Sequence, residues 1–262
     1  MPMAKTISAI IILALLLGII LTVSRSTGTT FSVASGRLAN IKERGEIVIG
    51  SNARYAPFES IDEQGNFVGL DMDIVREIAR DIGVTPVFID IPWEELFDTL
   101  RAGKIDVAIS SITITKERAE TMSFSDPYIN AGQVVVTLVS RGDIKGTHDL
   151  RSQTVGVQTE TTSETEARTY SDHVFVYPNY AEAKADLLSR KTDAIIIDYP
   201  AGVAMAGKDS RLKVVGEPFT QEFYGVATGK NETALLAEIN KTIRRLKQDG
   251  KLKEFERTWL GQ

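Results

Sequence analysis

At 262 residues, 43% of them hydrophobic and 25% charged, the chain has the length and composition of a soluble globular protein able to build two lobes, each with its own core. Its net charge of −5, from 30 basic and 35 acidic residues, leaves no cationic excess for a nucleic-acid partner. There is no cysteine and the two histidines, His148 and His173, are far apart, so disulfides, thiol nucleophiles and zinc clusters are excluded and no metal, cofactor or catalytic group is expected.

In chain order, the first element is "KTISAIIILALLLGIILTVSR", an uncharged apolar run from Ile7 to Val23 between a lysine and Arg25. It reads as an export signal, long for a cleaved core and at the lower limit for a spanning helix. "STGTTFSVASG" then reads as a spacer, which makes residues 1–36 a signal peptide or membrane anchor plus linker. The expected location is extracytoplasmic, in the periplasm or at the cell surface, with the chain either cleaved or tethered by residues 7–23.

From Ile41 onward strands and helices alternate. "GEIVIGS" predicts a strand. "FVGLDMDIVREIARDIG" predicts a helix with Leu70, Ile74, Ile78 and Ile82 on one face, Asp71 as its cap and Gly83 as its stop. "TPVFID" is a strand, "PWEELFDTLRAG" a helix with Trp93, Leu96, Phe97 and Leu100 on one side, and "KIDVAIS" a strand apolar enough to be buried on both faces. This order implies a parallel sheet covered by helices. A second series follows "AGQVVVTLVS": the strand "QTVGVQ", the helix "TSETEARTY", the strand "HVFVYP", the helix "YAEAKADLLSR" and the strand "DAIIID". The tail from Glu232 predicts two helices broken at Asp249-Gly250.

The two series echo one another. "DTLRAGKIDVAISS" and "DLLSRKTDAIIID" both run from a helix end through Lys and Asp into an apolar strand, which finishes in Ser110 and Ser111 in one and Asp198 in the other. Ligands of open α/β sheets bind beyond the carboxyl ends of the strands, so two such ends facing each other make a cleft. Next to the first end, Thr115 can cap a helix starting "KERAETM", and Arg118 stands in its first turn. A helix N-terminus attracts anions, and a guanidinium there can grip a carboxylate through two hydrogen bonds. The plain alternative is a solvated arginine. Likewise Asp198 can be a helix cap, and Tyr55 and Trp93 core aromatics.

Several motifs together carry a family resemblance: "RYAPFES", "FVGLDMDI", "DVAISSITITKERAETMSFSDPY", "VGVQTETTSE", "DAIIIDYP" and "FERTWLG". From about Ile41 to Gly261 the chain resembles the polar amino-acid-binding proteins of ABC importers, solute-binding proteins with the type II periplasmic fold. The resemblance implies an α/β protein of two parallel-sheet lobes around a ligand cleft, lobe 1 at 40–131 and 225–262 and lobe 2 at 132–224. It implies that Arg118, with the backbone and hydroxyls of Ser111 and Thr113, takes a ligand α-carboxylate, that Thr162 adds a donor from lobe 2, that Asp198 accepts the α-ammonium, and that Ser110 is among the ligand-binding residues. Tyr55 and Trp93 would sandwich the side chain, with Asn52 and Gln158 at its far end. Two positions depart from the family pattern: many relatives carry an acidic residue where Asn52 stands and a glycine where Glu160 stands.

The resemblance further implies a non-enzymatic monomer that hands its ligand to a membrane permease. A dehydratase-like enzyme on the same fold and a ligand-sensing receptor component are the alternatives, Glu160 being the only candidate acid for the first. Aromatic walls suit an amide or a guanidinium. Asn52 and Gln158 each offer a donor and an acceptor, which ranks glutamine first and arginine second.

Overall fold

Residues 36–261 are described by a computed structural model; the apolar run and the spacer up to Ser35 lie outside the described residues. Chain order begins with α1 (Arg37–Arg44), β1 (Glu46–Ser51) and a small meander of β2 (Arg54–Tyr55), β3 (Glu59–Ile61) and β4 (Phe67–Val68). It continues through α2 (Leu70–Ile82), β5 (Thr85–Asp90), α3 (Trp93–Arg101), β6 (Val107–Ala108), α4 (Lys116–Thr121), β7 (Met122–Phe124) and β8 (Ile129–Asn130). A second set follows: β9 (Gln133–Leu138), β10 (Thr154–Gln158), α5 (Thr162–Tyr170), β11 (His173–Tyr177), α6 (Tyr180–Leu188), β12 (Ala194–Asp198), α7 (Tyr199–Gly207) and β13 (Leu212–Val215). The chain ends in β14 (Phe223–Tyr224), β15 (Ala227–Gly229), α8 (Thr233–Gln248) and α9 (Lys251–Leu260).

Two five-stranded sheets result, ordered β5-β1-β6-β15-β7 and β11-β10-β12-β9-β13. Each is parallel except for one reversed strand in the fourth place, β15 or β9. The parallel-based sheets expected from the strand–helix alternation are present, each with one reversed strand added. The reason is connectivity: β9 and β15 are the strands by which the chain enters each sheet from the other. The two crossings themselves pair as an antiparallel ribbon, β8 with β14, in which Asn130 faces Phe223 and Ile129 faces Tyr224. Two-residue strands carry no periodicity, so this ribbon left no trace in the sequence pattern. This is the type II periplasmic-binding fold, α/β with a parallel-based sheet in each half.

The α2 stripe is as expected. Leu70, Ile74, Ile78 and Ile82 are buried, joined by Met72, Val75 and Ala79, and α8 packs over the same face with Leu235, Ile239 and Ile243. Burial of one such side chain contributes about 1.5–3 kcal/mol. Asp71 is not the cap. Gly69 holds that place at φ 134°, where a Cβ would lie 2.0 Å from the Phe58 carbonyl oxygen. The Asp71 carboxylate, two residues further on and fully buried, accepts the Ser111 backbone N–H at 2.7 Å.

The strand expected over Lys104–Ser110 shortens to Val107–Ala108. Asp106 leaves the ladder to act as a junction, its carboxylate accepting from Val48 N–H at 2.7 Å and pairing with Arg37 and Arg44 of α1. The last two helices meet at Gly250 in the left-handed region, at the expected break.

Candidate functional site

One cavity brings together all ten residues singled out in the sequence. Its wall from the first sheet carries Asn52, Tyr55, Trp93, Ser110, Ser111, Thr113 and Arg118; from the second come Gln158, Thr162 and Asp198. Glu59, Thr161, Ser163 and Tyr180 complete the lining. The cavity, together with the space at its opening, has a volume of about 390 Å³. Several arrive there because they stand at or just past the carboxyl end of a strand: Asn52 after β1, Ser110 after β6, Gln158 and Asp198 at the last positions of β10 and β12; Arg118 and Thr162 come from the first turns of the helices that follow.

The Arg118 side chain is oriented from three sides. Thr115 caps α4 by accepting the Arg118 backbone N–H at 3.1 Å, which fixes the first turn. The guanidinium donates to the Thr113 carbonyl at 3.0 Å and to the Glu160 carbonyl at 3.2 Å. Its carbon lies 5.4 Å from the Trp93 ring centre and 5.0 Å from that of Phe97, within cation–π range. Burial pulls its pKa down, opposed by the charges of Glu222, Asp198 and Glu117. This is a held, partly desolvated cation and not a solvated surface arginine.

Asp198 faces it from the second sheet. Asp198 occupies the N-cap position of α7, yet its side chain makes no capping bond there. Oδ2 accepts from the Tyr55 hydroxyl at 2.8 Å and Oδ1 from the Gln133 amide at 3.0 Å. Burial pushes its pKa up to about 7; the neighbouring Tyr224 hydroxyl, the Tyr55 hydrogen bond and the Arg118 charge act downward, and the Glu222 charge acts upward. No basic side chain pairs with it among the described residues, so its negative charge is left for something in the cavity to meet.

The hydroxyl-rich stretch does something other than the resemblance implied. Ser110 and Ser111 hydroxyls donate to the two oxygens of Glu59, at 2.9 and 3.1 Å. Thr113 and Thr162 hydroxyls both donate to Oε2 of Glu222, at 2.9 and 2.7 Å. A hydroxyl has a single proton. The expectation that these side chains donate to a ligand carboxylate is therefore corrected: the donors left at that corner are the guanidinium and backbone N–H groups. Glu59 itself is fully buried beside Asp71, and burial followed by the Asp71 charge raises its pKa well above the usual range. Burial also raises Asp71, to about 7.

At the aromatic end, Tyr55 stacks on Phe58 at 6.1 Å and tilts against Tyr180 at 5.5 Å, and Trp93 meets Phe97 edge-on at 5.1 Å. The Asn52 amide N–H donates to the Ile91 carbonyl at 3.1 Å and that of Gln158 to the Pro178 carbonyl at 3.1 Å. Those backbone acceptors fix both amides and turn the carbonyl oxygens to the other side.

Glu160 sits at φ 55°, in the left-handed region where a side chain is tolerated poorly. Its carbonyl accepts from both Arg118 and, at 3.4 Å, the Trp93 indole, so this strained turn ties the second-sheet loop to the first-sheet wall. Its side chain lines an outer mouth with Glu117, Glu120, Glu164 and Arg101.

Sequence reading missed Glu59, Gln133, Tyr180 and Glu222. Glu59 lies inside the "RYAPFES" motif and Gln133 is the one amide in a strand otherwise apolar apart from Thr137, signals that were available; Glu222 carries none, because its partners are 109 and 60 positions away.

The profile of the bacterial extracellular solute-binding proteins, family 3, matches residues 47–262. The chain belongs to that family. It is 31% identical over 237 residues to the L-cystine-binding protein of Escherichia coli (strain K12), 86% of each chain being covered. It is 33% identical over 231 residues to the ABC transporter glutamine-binding protein of Bacillus subtilis (strain 168), with 85% of this chain and 84% of that one covered. Among solved structures it is similar to the P235GK mutant of the arginine-binding protein ArgBP from T. maritima, with a TM-score of 0.82 and 36% identity over 86% of this chain and 100% of that one.

Proposed function

We propose that this protein captures a polar L-amino acid outside the cytoplasm and delivers it to the permease of an ABC transporter. The observation that carries the reading is the opposition of Arg118 and Asp198 across one cavity, a cation and an anion spaced by the two sheets for the two charges of a zwitterion. In this reading Arg118 and backbone N–H groups take the α-carboxylate, Asp198 the α-ammonium, and Tyr55 and Trp93 the side chain. The lobes run 40–131 with 225–262 and 132–224, with crossings at β8 and β14, and a monomer suffices because both walls come from one chain.

Among side chains we place arginine ahead of glutamine, the reverse of the sequence ranking. With one N–H of each of the Asn52 and Gln158 amides engaged by a backbone carbonyl, the acceptors at the far end outnumber the donors left over, which suits the five donors of a guanidinium better than a carboxamide. The glutamates at the mouth favour a cation on its way in. An enzymatic reading gains nothing from Glu160, whose carboxylate lines the outer mouth and not the inner cavity.

A thermal-shift screen of the twenty amino acids on the full chain tests this. A ligand at one hundred times its Kd adds about 2.7 kcal/mol of stability, and arginine is expected to give the largest shift, glutamine the next. A screen in which no amino acid raises the melting temperature contradicts the proposal.

A further inference from the structure

Glu222 is a carboxylate outside the cavity lining that touches both walls of the cleft. It stands directly before β14, in the crossing ribbon, where its own carbonyl accepts the Ala131 N–H at 2.8 Å and so fixes its backbone to the other crossing. It is buried to 8% exposure. Oε2 accepts from Thr113, on the loop leaving the first sheet, and from Thr162, the first residue of α5 on the second; Oε1 accepts from Thr220 at 3.2 Å.

The contacts continue past Glu222. The Thr162 hydroxyl, donating to Glu222, accepts from the Gln133 amide at 3.0 Å; the same amide donates to Asp198 at 3.0 Å, and Asp198 accepts from Tyr55 at 2.8 Å. Each hydroxyl proton and both protons of the Gln133 amide are thereby assigned, which leaves the chain one orientation. It runs from the crossing ribbon, along the second wall, and back to an aromatic ring of the first.

We infer that Glu222 is a positioning residue for cleft closure: from the ribbon, its carboxylate clasps Thr113 to Thr162 and holds the two walls at the separation at which Arg118 and Asp198 act on one ligand. The bridge exists only while both hydroxyls lie within hydrogen-bond reach of one oxygen, so parting the walls breaks it. Breaking it also frees the Thr162 hydroxyl that orients Gln133 against Asp198. Glu222 does not line the cavity, so its effect on a ligand runs through the separation of the walls. Charge groups around it set the same limit: Arg118 attracts it, while Asp198 and Glu166 repel it, and only the threonine donors decide its orientation.

The inference rests on the amino-acid reading for its kinetic consequence and not for its geometric one, and the experiment separates the two. The chain has no cysteine, so spin labels on Lys116→Cys and Thr169→Cys, both exposed and on opposite walls, report the wall separation without interference. Glu222→Ala is expected to shift the distance distribution of the unliganded chain to longer values, with Glu222→Gln between it and wild type. An unchanged distribution in Glu222→Ala overturns the inference. With arginine as probe, stopped-flow binding is expected to show koff raised about tenfold or more and kon within about threefold, because lost closure shortens residence more than it hinders encounter. The melting temperature of the unliganded Glu222→Ala chain is expected to stay near that of wild type; a loss of affinity that merely tracks a lowered melting temperature assigns Glu222 an ordinary packing role and overturns the inference. If wild type binds no amino acid, the functional proposal fails and the label distances alone decide the role of Glu222.

Discussion

Glu59 and Asp198 are two buried carboxylates lining the same cavity, one from the β2–β4 meander and one from the second five-stranded sheet, and neither forms an ion pair among the described residues. Their surroundings differ. Burial, followed by the neighbouring Asp71 carboxylate, drives Glu59 towards its neutral form against the opposing pull of the Ser110 and Ser111 hydroxyls, and the group belongs to the scaffold. Asp198 accepts from a tyrosine and an amide, feels the Arg118 charge across the cavity, and sits near pKa 7, poised for a cation to complete it. Burial alone therefore does not mark a ligand site; a buried charge whose partner the fold withholds does.

The comparison is broken most strongly through Arg118, the cation that gives Asp198 its opposite number. Arg118→Ala is expected to weaken amino-acid binding by about 2–5 kcal/mol, tens-fold or more, as calorimetry would measure. Retained affinity within about threefold would return Arg118 to a packing role over Trp93 and Phe97. Glu59→Ala attacks the scaffold carboxylate instead. It leaves two buried hydroxyls without their acceptor and should cost about 1–3 kcal/mol of stability in urea unfolding, with a smaller change in affinity than Arg118→Ala. If Glu59→Ala abolished binding while leaving stability intact, the division between the two carboxylates would be wrong.

Titration sharpens the same contrast. Glu59 and Asp71 have raised folded values, Asp71 about 7, so the native state holds protons that the unfolded chain has released above about pH 4. Their stabilisation is fully present below that value and is lost as pH rises through about 7. The urea midpoint of the unliganded chain should accordingly fall between pH 5 and 8, by about a kilocalorie per mole or more. Affinity should move the opposite way. An α-ammonium needs ionised Asp198, so Kd should worsen by up to about tenfold for each pH unit below 7. A pH-independent Kd over that range would remove Asp198 from the ammonium site.

The smallest expected effect is at Glu160. Glycine at φ 55° relieves the left-handed strain, so Glu160→Gly should raise the melting temperature by about 2–4 °C, for about 1 kcal/mol. The carbonyl that accepts from Trp93 and Arg118 stays in place, and affinity should hardly change. A drop in melting temperature would show that the Glu160 side chain contributes more to stability than the left-handed strain costs, since the backbone N–H that Glu164 accepts is kept by glycine.

Much of this was legible in the sequence where the information is local. The stripe of α2, the Thr115 cap, the break at Gly250 and the strand ends bearing Ser110 and Asp198 all follow from residues within a few positions of one another. The ten cavity residues were nameable through the family resemblance, most of them from within the quoted motifs and several from strand ends. What was not legible depends on distant pairing. The β8–β14 ribbon joins segments some ninety positions apart, β15 and β9 reverse each sheet, and the serine and threonine hydroxyls are spoken for by Glu59 and Glu222. A run of hydroxyls announces that something accepts their protons; it does not say whether the acceptor is a ligand or the protein. Asn52 and Gln158 illustrate the same limit, since which end of an amide faces the cavity is set by carbonyls of Ile91 and Pro178.

The central claim, that Asp198 is the carboxylate left open for a ligand cation, is tested most directly by titrating L-arginine calorimetrically into wild type and Asp198→Asn at pH 8, with unfolding of both unliganded chains followed alongside. Asparagine keeps the shape and would serve about as well as a helix cap. The account predicts an affinity loss of about 2–5 kcal/mol with little change in melting temperature. Equal affinities for the two chains, or a loss explained by a destabilised fold, would contradict it.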